Sequence, residues 1–332
     1  MKTKYISLIL LVVIAFSACD DKSQKKTQKQ TPASESKSFI SNFDADSAYR
    51  FVKEQVDFGP RVPATAAHAK AANYLYEKLS QYTDTALIQS FKARVYTGEV
   101  FDSKNIIGIF NPTNRKRVLL CAHWDSRPYA DHDPNPENWY KAIDGANDGA
   151  SGVGVLLEIA RQLSISRPEI GVDIIFFDVE DYGTHQSKQD ESNGEEWALG
   201  SQYWAKNPHT FGYRAFYGIL LDMVGASEPT FLKEKYSQYY APNVLDKIWN
   251  TADKLGYKKY FPNEEGVPIN DDHFYINYYA KIPTVNIIHL ELSSVNGSFF
   301  EYWHTIEDNM SKIDPKSLKM VGDVVLTVIM NE

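Results

Sequence analysis

Nine residues, Asp144-Gly145-Ala146-Asn147-Asp148-Gly149-Ala150-Ser151-Gly152, pack two carboxylates, an amide and three glycines ahead of an apolar helical pattern at Val153, Leu156, Leu157, Ala160 and Leu163. Glycine lets backbone approach a bound ion closely. Asp148, just before a helix start, can cap that helix or bind a cation. Other candidates follow apolar runs: His123 and Asp125 after residues 118–122, Glu180 and Asp181 after 172–177, Asp222 after 216–221. Asp148, Asp181 and His304 offer two oxygens and one nitrogen, a zinc set that leaves the fourth position open for catalysis. Glu180, beside a ligand, suits a general base once its pKa is raised toward the working pH. Asp222 and Asp271 add carboxylates, and so many acids in one pocket cannot all ionise without a cation or shared protons. Each acid alone is more often a cap or a surface charge. Their joint position at strand ends is what points to a site.

The elements that must hold these residues are legible as periodicity. Residues 88–96 and 103–110 read as two strands. Short buried strands are predicted over 117–122, 172–177, 216–221 and 284–289, between helical patterns over 64–82, 153–163, 197–204, 244–255 and 318–330. A first helix runs to Val56, capped by Asp44 or Asp46. Near-continuous apolar strands alternating with helices imply an α/β fold: a single three-layer domain, its sheet covered on both faces. Ligands in such sheets sit beyond the carboxyl ends of the strands, where the acids and His123 fall. The long loops 127–143 and 182–196 are polar. Asp131-His132-Asp133, followed by Pro134, reads as a solvated loop rather than a ligand cluster. There is no G-x-S-x-G elbow and no glycine-rich phosphate loop with lysine.

The 332 residues, 43% of them hydrophobic, suffice for a large core in one or two domains. The net charge of −8 argues against nucleic acid as a partner. Residues 1–18 read as a signal: Lys2 and Lys4 lead an apolar stretch from Ile6 to Phe16 and then Ser17-Ala18-Cys19. This resembles a bacterial lipoprotein signal, with cleavage before Cys19 and lipid on its sulfur. A cell-envelope location follows as an expectation, periplasmic or outer-membrane associated, with the bilayer reached through Cys19. Residues 19–38, rich in Lys, Gln, Ser and Thr, read as a disordered tether. Residues 39–332 are the expected catalytic zinc α/β domain, and a monomer is expected. With Cys19 lipidated, Cys121 is unpaired, a buried structural thiol in an apolar strand.

The motifs His123-Trp124-Asp125, Asn147-Asp148-Gly149-Ala150-Ser151-Gly152, Glu180-Asp181, Asp222 and His304 together resemble the zinc aminopeptidase family. The resemblance runs from about Phe58 to the end and implies a mixed, mostly parallel central sheet flanked by helices. Two functions compete within it. A two-zinc aminopeptidase would use His123, Asp148, Asp181, Asp222 and His304 as ligands. An animal-type glutaminyl-peptide cyclotransferase would keep one zinc. Trp303 before His304, the Asp271-Asp272-His273 motif and the run Leu220-Leu221-Asp222-Met223-Val224-Gly225-Ala226 are more similar to the cyclotransferase. Asp181 departs from that pattern, which has a second glutamate there. The resemblance implies zinc on Asp148, Asp181 and His304, with Glu180, Asp222 and Asp271 catalytic. It implies Trp303, with Trp197 as a second candidate, as the substrate wall, and His123 and Asp125 as structural. The substrates implied are peptides or proteins with N-terminal glutamine. A binding protein that kept the fold without catalysis is the reading from another class; it predicts that Glu180→Ala changes nothing.

Overall fold

The computed structural model describes residue 39, residues 41–192 and residues 194–332; the signal and the tether read in the sequence lie outside the described residues. In order along the sequence the elements are α1 (Ala45–Val56), α2 (Ala66–Tyr82), β1 (Thr85–Arg94), β2 (Val100–Phe110), β3 (Arg117–His123), α3 (Ala150–Ile165) and β4 (Gly171–Phe177). Then come α4 (Leu199–Lys206), β5 (Tyr217–Asp222), α5 (Lys235–Tyr240), α6 (Pro242–Lys254), α7 (Asp272–Tyr275), β6 (Thr284–Ile288) and α8 (Pro315–Met330). The expected strands and helices are present within a few residues of their predicted bounds. Asp44, not Asp46, caps α1, its carboxylate accepting from the Ser47 N–H.

The six strands form one mixed sheet of order β1-β2-β4-β3-β5-β6. The β1–β2 and β2–β4 pairs are antiparallel; β4–β3, β3–β5 and β5–β6 are parallel. Alternation along β3 sets the two faces. Val118, Leu120 and Ala122 pack into a core with residues of α1, α2, α3, α6 and α8. Leu119 and Cys121 pack the other way, with Trp204 of α4 and Ile276. Burying each aliphatic side group stabilises by about 1.5–3 kcal/mol. Cys121 is buried and free, as expected.

From β3 the backbone passes through α3 to β4 on one side, and from β4 it returns through α4 to β5 on the other side of β3. The strand order therefore switches beside β3, and the four parallel strands end on one edge, with His123 opposite Phe177 and Asp222 opposite Ile288. Such a switch point opens a crevice beyond the strand ends. At the far edge a buried pair joins the starts of β3 and β4: Arg117 Nε and Nη2 reach Asp173 at 2.8 and 2.6 Å, and Tyr213 donates to the same carboxylate at 2.7 Å.

Arg61 braces the backbone at the carboxyl end of β3. It is fully buried, and its guanidinium donates to the carbonyls of Trp124, Asp144 and Gly145 at 3.0, 2.7 and 2.8 Å. One residue thus ties the end of β3 to the turn leading into α3. Removing it leaves three carbonyls without donors and takes a positive charge away from Asp125 and Asp308. Arg61→Met is expected to destabilise the fold by about 3 kcal/mol or more, seen as a lower urea midpoint at unchanged slope.

Candidate active site

The stretch 144–152 is clamped at several points. Asp308 accepts the Asn147 and Asp148 N–H groups at 2.8 and 3.0 Å. Asn147 Oδ1 accepts Gly225 N–H at 2.7 Å, and Ser151 Oγ accepts Val224 N–H at 3.0 Å. Asn147 and Ser151 therefore bind the segment just after β5 rather than an ion. The position before α3 is Gly149, with φ of 93° and no side-group cap. A Cβ there would stand 2.7 Å from the Asp125 carbonyl, so glycine is required. Asp148 is left free to face the crevice.

Asp125 positions the acidic pair after β4. Its two carboxylate oxygens accept the Glu180 and Asp181 N–H groups at 3.0 and 3.1 Å. Val179, between strand and pair, sits at φ of 56°, an unfavourable conformation for a β-branched residue. Met223, just after Asp222, and His304 itself are also left-handed, at 50° and 53°. Three strained non-glycine residues at one site match the concentration of backbone strain at functional centres.

Two buried groups of metal-competent residues result, sharing Asp148: Asp148, Asp181 and His304, and His123, Asp148 and Asp222. His304 Nε2 lies 3.1 Å from Asp181 Oδ1 and 3.5 Å from Asp148 Oδ2. His123 Nε2 lies 3.0 Å from Asp148 Oδ1 and 3.3 Å from Asp222 Oδ1. Asp181 Oδ2 is buried with no hydrogen-bond donor. Burial, with Arg127 nearby, lowers the His304 pKa to about 3, leaving the imidazole neutral. Two carboxylate oxygens, one a buried orphan, and a neutral imidazole fit a zinc ion.

Outer partners fix the imidazole. His304 Nδ1 faces Asp131 Oδ1 at 3.6 Å, the placement that orients an imidazole whose other nitrogen is to meet a metal. Asp131 is itself held by Arg127 at 2.8 and 2.6 Å and lies well below the usual carboxylate range because that hydrogen-bonded guanidinium outweighs burial. Here the expectation of a solvated loop fails: Asp131 and Asp133 are 1% and 5% exposed. Asp133 accepts from Asn138 Nδ2 and Ile306 N–H, and His132 N–H donates to the His304 carbonyl. The loop is folded against the His304 segment, and those distant partners carry no signal in the local sequence.

The crevice is a cavity of about 590 Å³ lined by Asp148, Glu180, Asp181, Asp222, Asp271 and His304 together with both candidate tryptophans. Trp303 stacks on His304 with centroids 3.7 Å apart, and Trp197 lies parallel to His304 at 6.3 Å with Arg127 over its ring at 4.8 Å. Every predicted site residue is thus brought to one cavity. Burial pushes the Glu180 carboxyl well above its ordinary range, with Asp271, Asp181 and Asp272 adding to the shift and His123 opposing it. Burial likewise raises Asp222 to about 7.

Residues 105–329 match peptidase family M28. The protein belongs to that family. It is 30% identical over 257 residues to the bovine glutaminyl-peptide cyclotransferase, a match covering 68% of this sequence and 65% of that protein, a little under two thirds of its length. Among solved structures it is similar to the Bacteroides thetaiotaomicron glutaminyl cyclase bound to N-acetylhistamine, at TM-score 0.86 and 50% identity over 89% of this sequence and all of that one. It is equally similar to a zinc-dependent exopeptidase from Parabacteroides distasonis, at the same TM-score, identity and coverage.

Proposed function

We propose that the protein is a zinc-dependent glutaminyl-peptide cyclotransferase, converting N-terminal glutamine of peptides and proteins to pyroglutamate with release of ammonia. The observation that carries this reading is the meeting of Glu180, Asp222 and Asp271 in one cavity walled by Trp303 stacked on His304. The similarity to glutaminyl cyclases supports it. Zinc held by Asp148, Asp181 and His304 would supply Lewis acidity toward the γ-amide carbonyl of the substrate. The α-amine nitrogen attacks that carbonyl carbon, the ring C–N bond forms, and the bond from the same carbon to the amide nitrogen breaks. Glu180 takes the proton from the α-amine and delivers it to the departing nitrogen. Asp222 and Asp271 hold the amine and the Glu180 carboxyl. Trp303 and Trp197 supply apolar walls that exclude water. Nucleophile and carbonyl belong to one residue, so the cavity need only hold a folded conformer.

One zinc per protein molecule is the proposed complement. In both groups the imidazole meets the carboxylates at 3.0–3.5 Å; what supports the first is the buried Asp181 Oδ2, which has no donor. That second group is also what favours the runner-up, a two-zinc aminopeptidase. A glutamine-initiated peptide incubated with the protein distinguishes them by mass: loss of ammonia from the intact peptide is expected, and release of free glutamine would sink the cyclotransferase.

The N-terminal reading is a proposal of location, a lipid on Cys19 that holds the domain at the cell envelope. No helix among the described residues is long and apolar enough to cross a membrane. Cys19→Ala is expected to move the protein from the membrane to the soluble fraction; unchanged fractionation would rule out the anchor.

A further inference from the structure

Asp271 stands at the start of α7 and lines the cavity. Both oxygens of its carboxylate are engaged. One oxygen accepts the Asp272 N–H beside it, and the other accepts Asn286 Nδ2 at 2.6 Å. The segment that carries it, residues 269–273, is held from outside by Asn286, by the Gly194 carbonyl, which accepts Asn270 Nδ2 at 2.7 Å, and at two points by Glu234. Glu234 is fully buried. Its Oε1 accepts the Ile269 N–H at 3.0 Å, two residues before Asp271, and its Oε2 accepts from His273 Nε2 at 2.9 Å, two residues after.

The same carboxylate organises the start of α5. Oε1 accepts Tyr236 N–H at 2.8 Å, and Oε2 accepts Ser237 N–H and Oγ–H at 2.6 and 2.8 Å. Ser237 Oγ in turn accepts the Asn286 N–H on β6 at 2.9 Å. Glu234 thus reaches Asp271 by three routes: through Ile269, through His273, and through Ser237 and Asn286. Buried among five donors, it is a saturated acceptor that no uncharged group can reproduce, because an amide would turn an N–H toward one of these donors. Proximity to His273 and these hydrogen bonds outweigh burial and hold the carboxyl down at about 2, so it is charged at working pH.

We propose that Glu234 is a positioning residue, a buried clamp that sets Asp271 against Glu180 and Asp222 in the cavity. This rests on the reading of Asp271 as a group that holds the substrate amine. Glu234 touches neither substrate nor zinc ligand, so its loss should show as misplacement of Asp271 rather than loss of metal.

The test uses the full zinc-loaded protein with Glu234→Gln, nearly isosteric, and Ser237→Ala, which cuts only the route through Asn286. Turnover of a glutamine-initiated peptide is followed alongside zinc content, thermal midpoint and crystal structures. Glu234→Gln is expected to lower kcat by about 10- to 100-fold, as outer hydrogen-bond partners of a site typically do, with one zinc retained. Ser237→Ala is expected to show a smaller fall in kcat with KM nearly unchanged, and Glu234→Asp to recover part of the Glu234→Gln loss. A crystal structure of folded Glu234→Gln should show residues 269–273 displaced and the Asn286–Asp271 contact broken. A segment that stays in place, with wild-type kcat, overturns the clamp. Should the wild-type protein fail to cyclise glutamine, the functional reading falls; the displacement of residues 269–273, read by crystallography alone, still decides whether Glu234 sets Asp271.

Discussion

Glu180→Gln is expected to lower kcat for glutamine cyclisation by about 10²–10⁴-fold, the range carried by a general acid–base group, while zinc content and thermal midpoint stay near wild type. The substitution should be structurally quiet because the backbone at this position is held independently of the carboxyl group. Asp125 fixes the N–H groups of residues 180 and 181, and the proposed zinc ligands Asp148, Asp181 and His304 are untouched. Glutamine fills the same volume and cannot carry the proton. Burial holds the carboxyl well above its ordinary range, the direction a group that both takes and returns a proton requires. Cyclisation that persists at wild-type rate in zinc-loaded Glu180→Gln would remove Glu180 from the mechanism and favour a binding role for the site.

Removing the metal is expected to cost the fold more than any single residue at the site. A ligand at a thousandfold excess over its Kd stabilises by about 4 kcal/mol, and in a domain of this size the thermal midpoint should fall by about 10 °C on chelation. The pH dependence has a definite sign. In the ion-free protein burial raises Glu180, Asp181 and Asp272 well above their ordinary values, and Asp222 and Asp308 to about 7. The folded state therefore holds protons that the unfolded state has lost above about pH 4. Where the folded state binds more protons, stability falls as pH rises. These carboxyls should cost the ion-free protein stability from about pH 4 to 7 and beyond, opposed below about pH 6.5 by His304, held down at about 3. His123, also raised because Asp125, Asp148 and Asp222 outweigh burial, acts in the same direction as the carboxyls. Glu234, depressed to about 2, acts oppositely, its contribution lost only as pH falls from about 4.5 toward 2. Metal binding demands deprotonated ligands, so the gap between loaded and stripped midpoints should widen from pH 5 to pH 8. A gap that is flat with pH, measured by calorimetry, would refute a cation at this cluster.

The sheet is legible because buried parallel strands read as unbroken apolar runs. The acids after residues 177 and 221 can be placed at its edge with no knowledge of strand order. Asp148 is harder, since cap and ligand look alike in sequence; only the left-handed Gly149 in the capping position separates them. Arg61 and Asp308 carry no signal at all. Asp308 meets Asp148 across 160 residues, and Arg61 meets the Gly145 carbonyl across 84. No periodicity encodes such contacts. Asp131 misleads, because three polar residues before a proline look solvated until Arg127 and the His304 segment are in place. Glu234 sits in a stretch with neither motif nor apolar pattern, and most of its partners are backbone N–H groups that sequence does not display.

The left-handed backbone at Val179, Met223 and His304 bears on how this protein can change. Each such residue holds about 1–3 kcal/mol of unfavourable conformation, which glycine would release. At position 179 glycine would also lose a fully buried side group packed with Phe91 and Tyr182, worth about 1.5–3 kcal/mol. Glycine there is expected to leave heat resistance no better while freeing the peptide that aims Glu180. Along this edge of the sheet, the packing that holds a costly torsion angle in place is what keeps the carboxyl aimed.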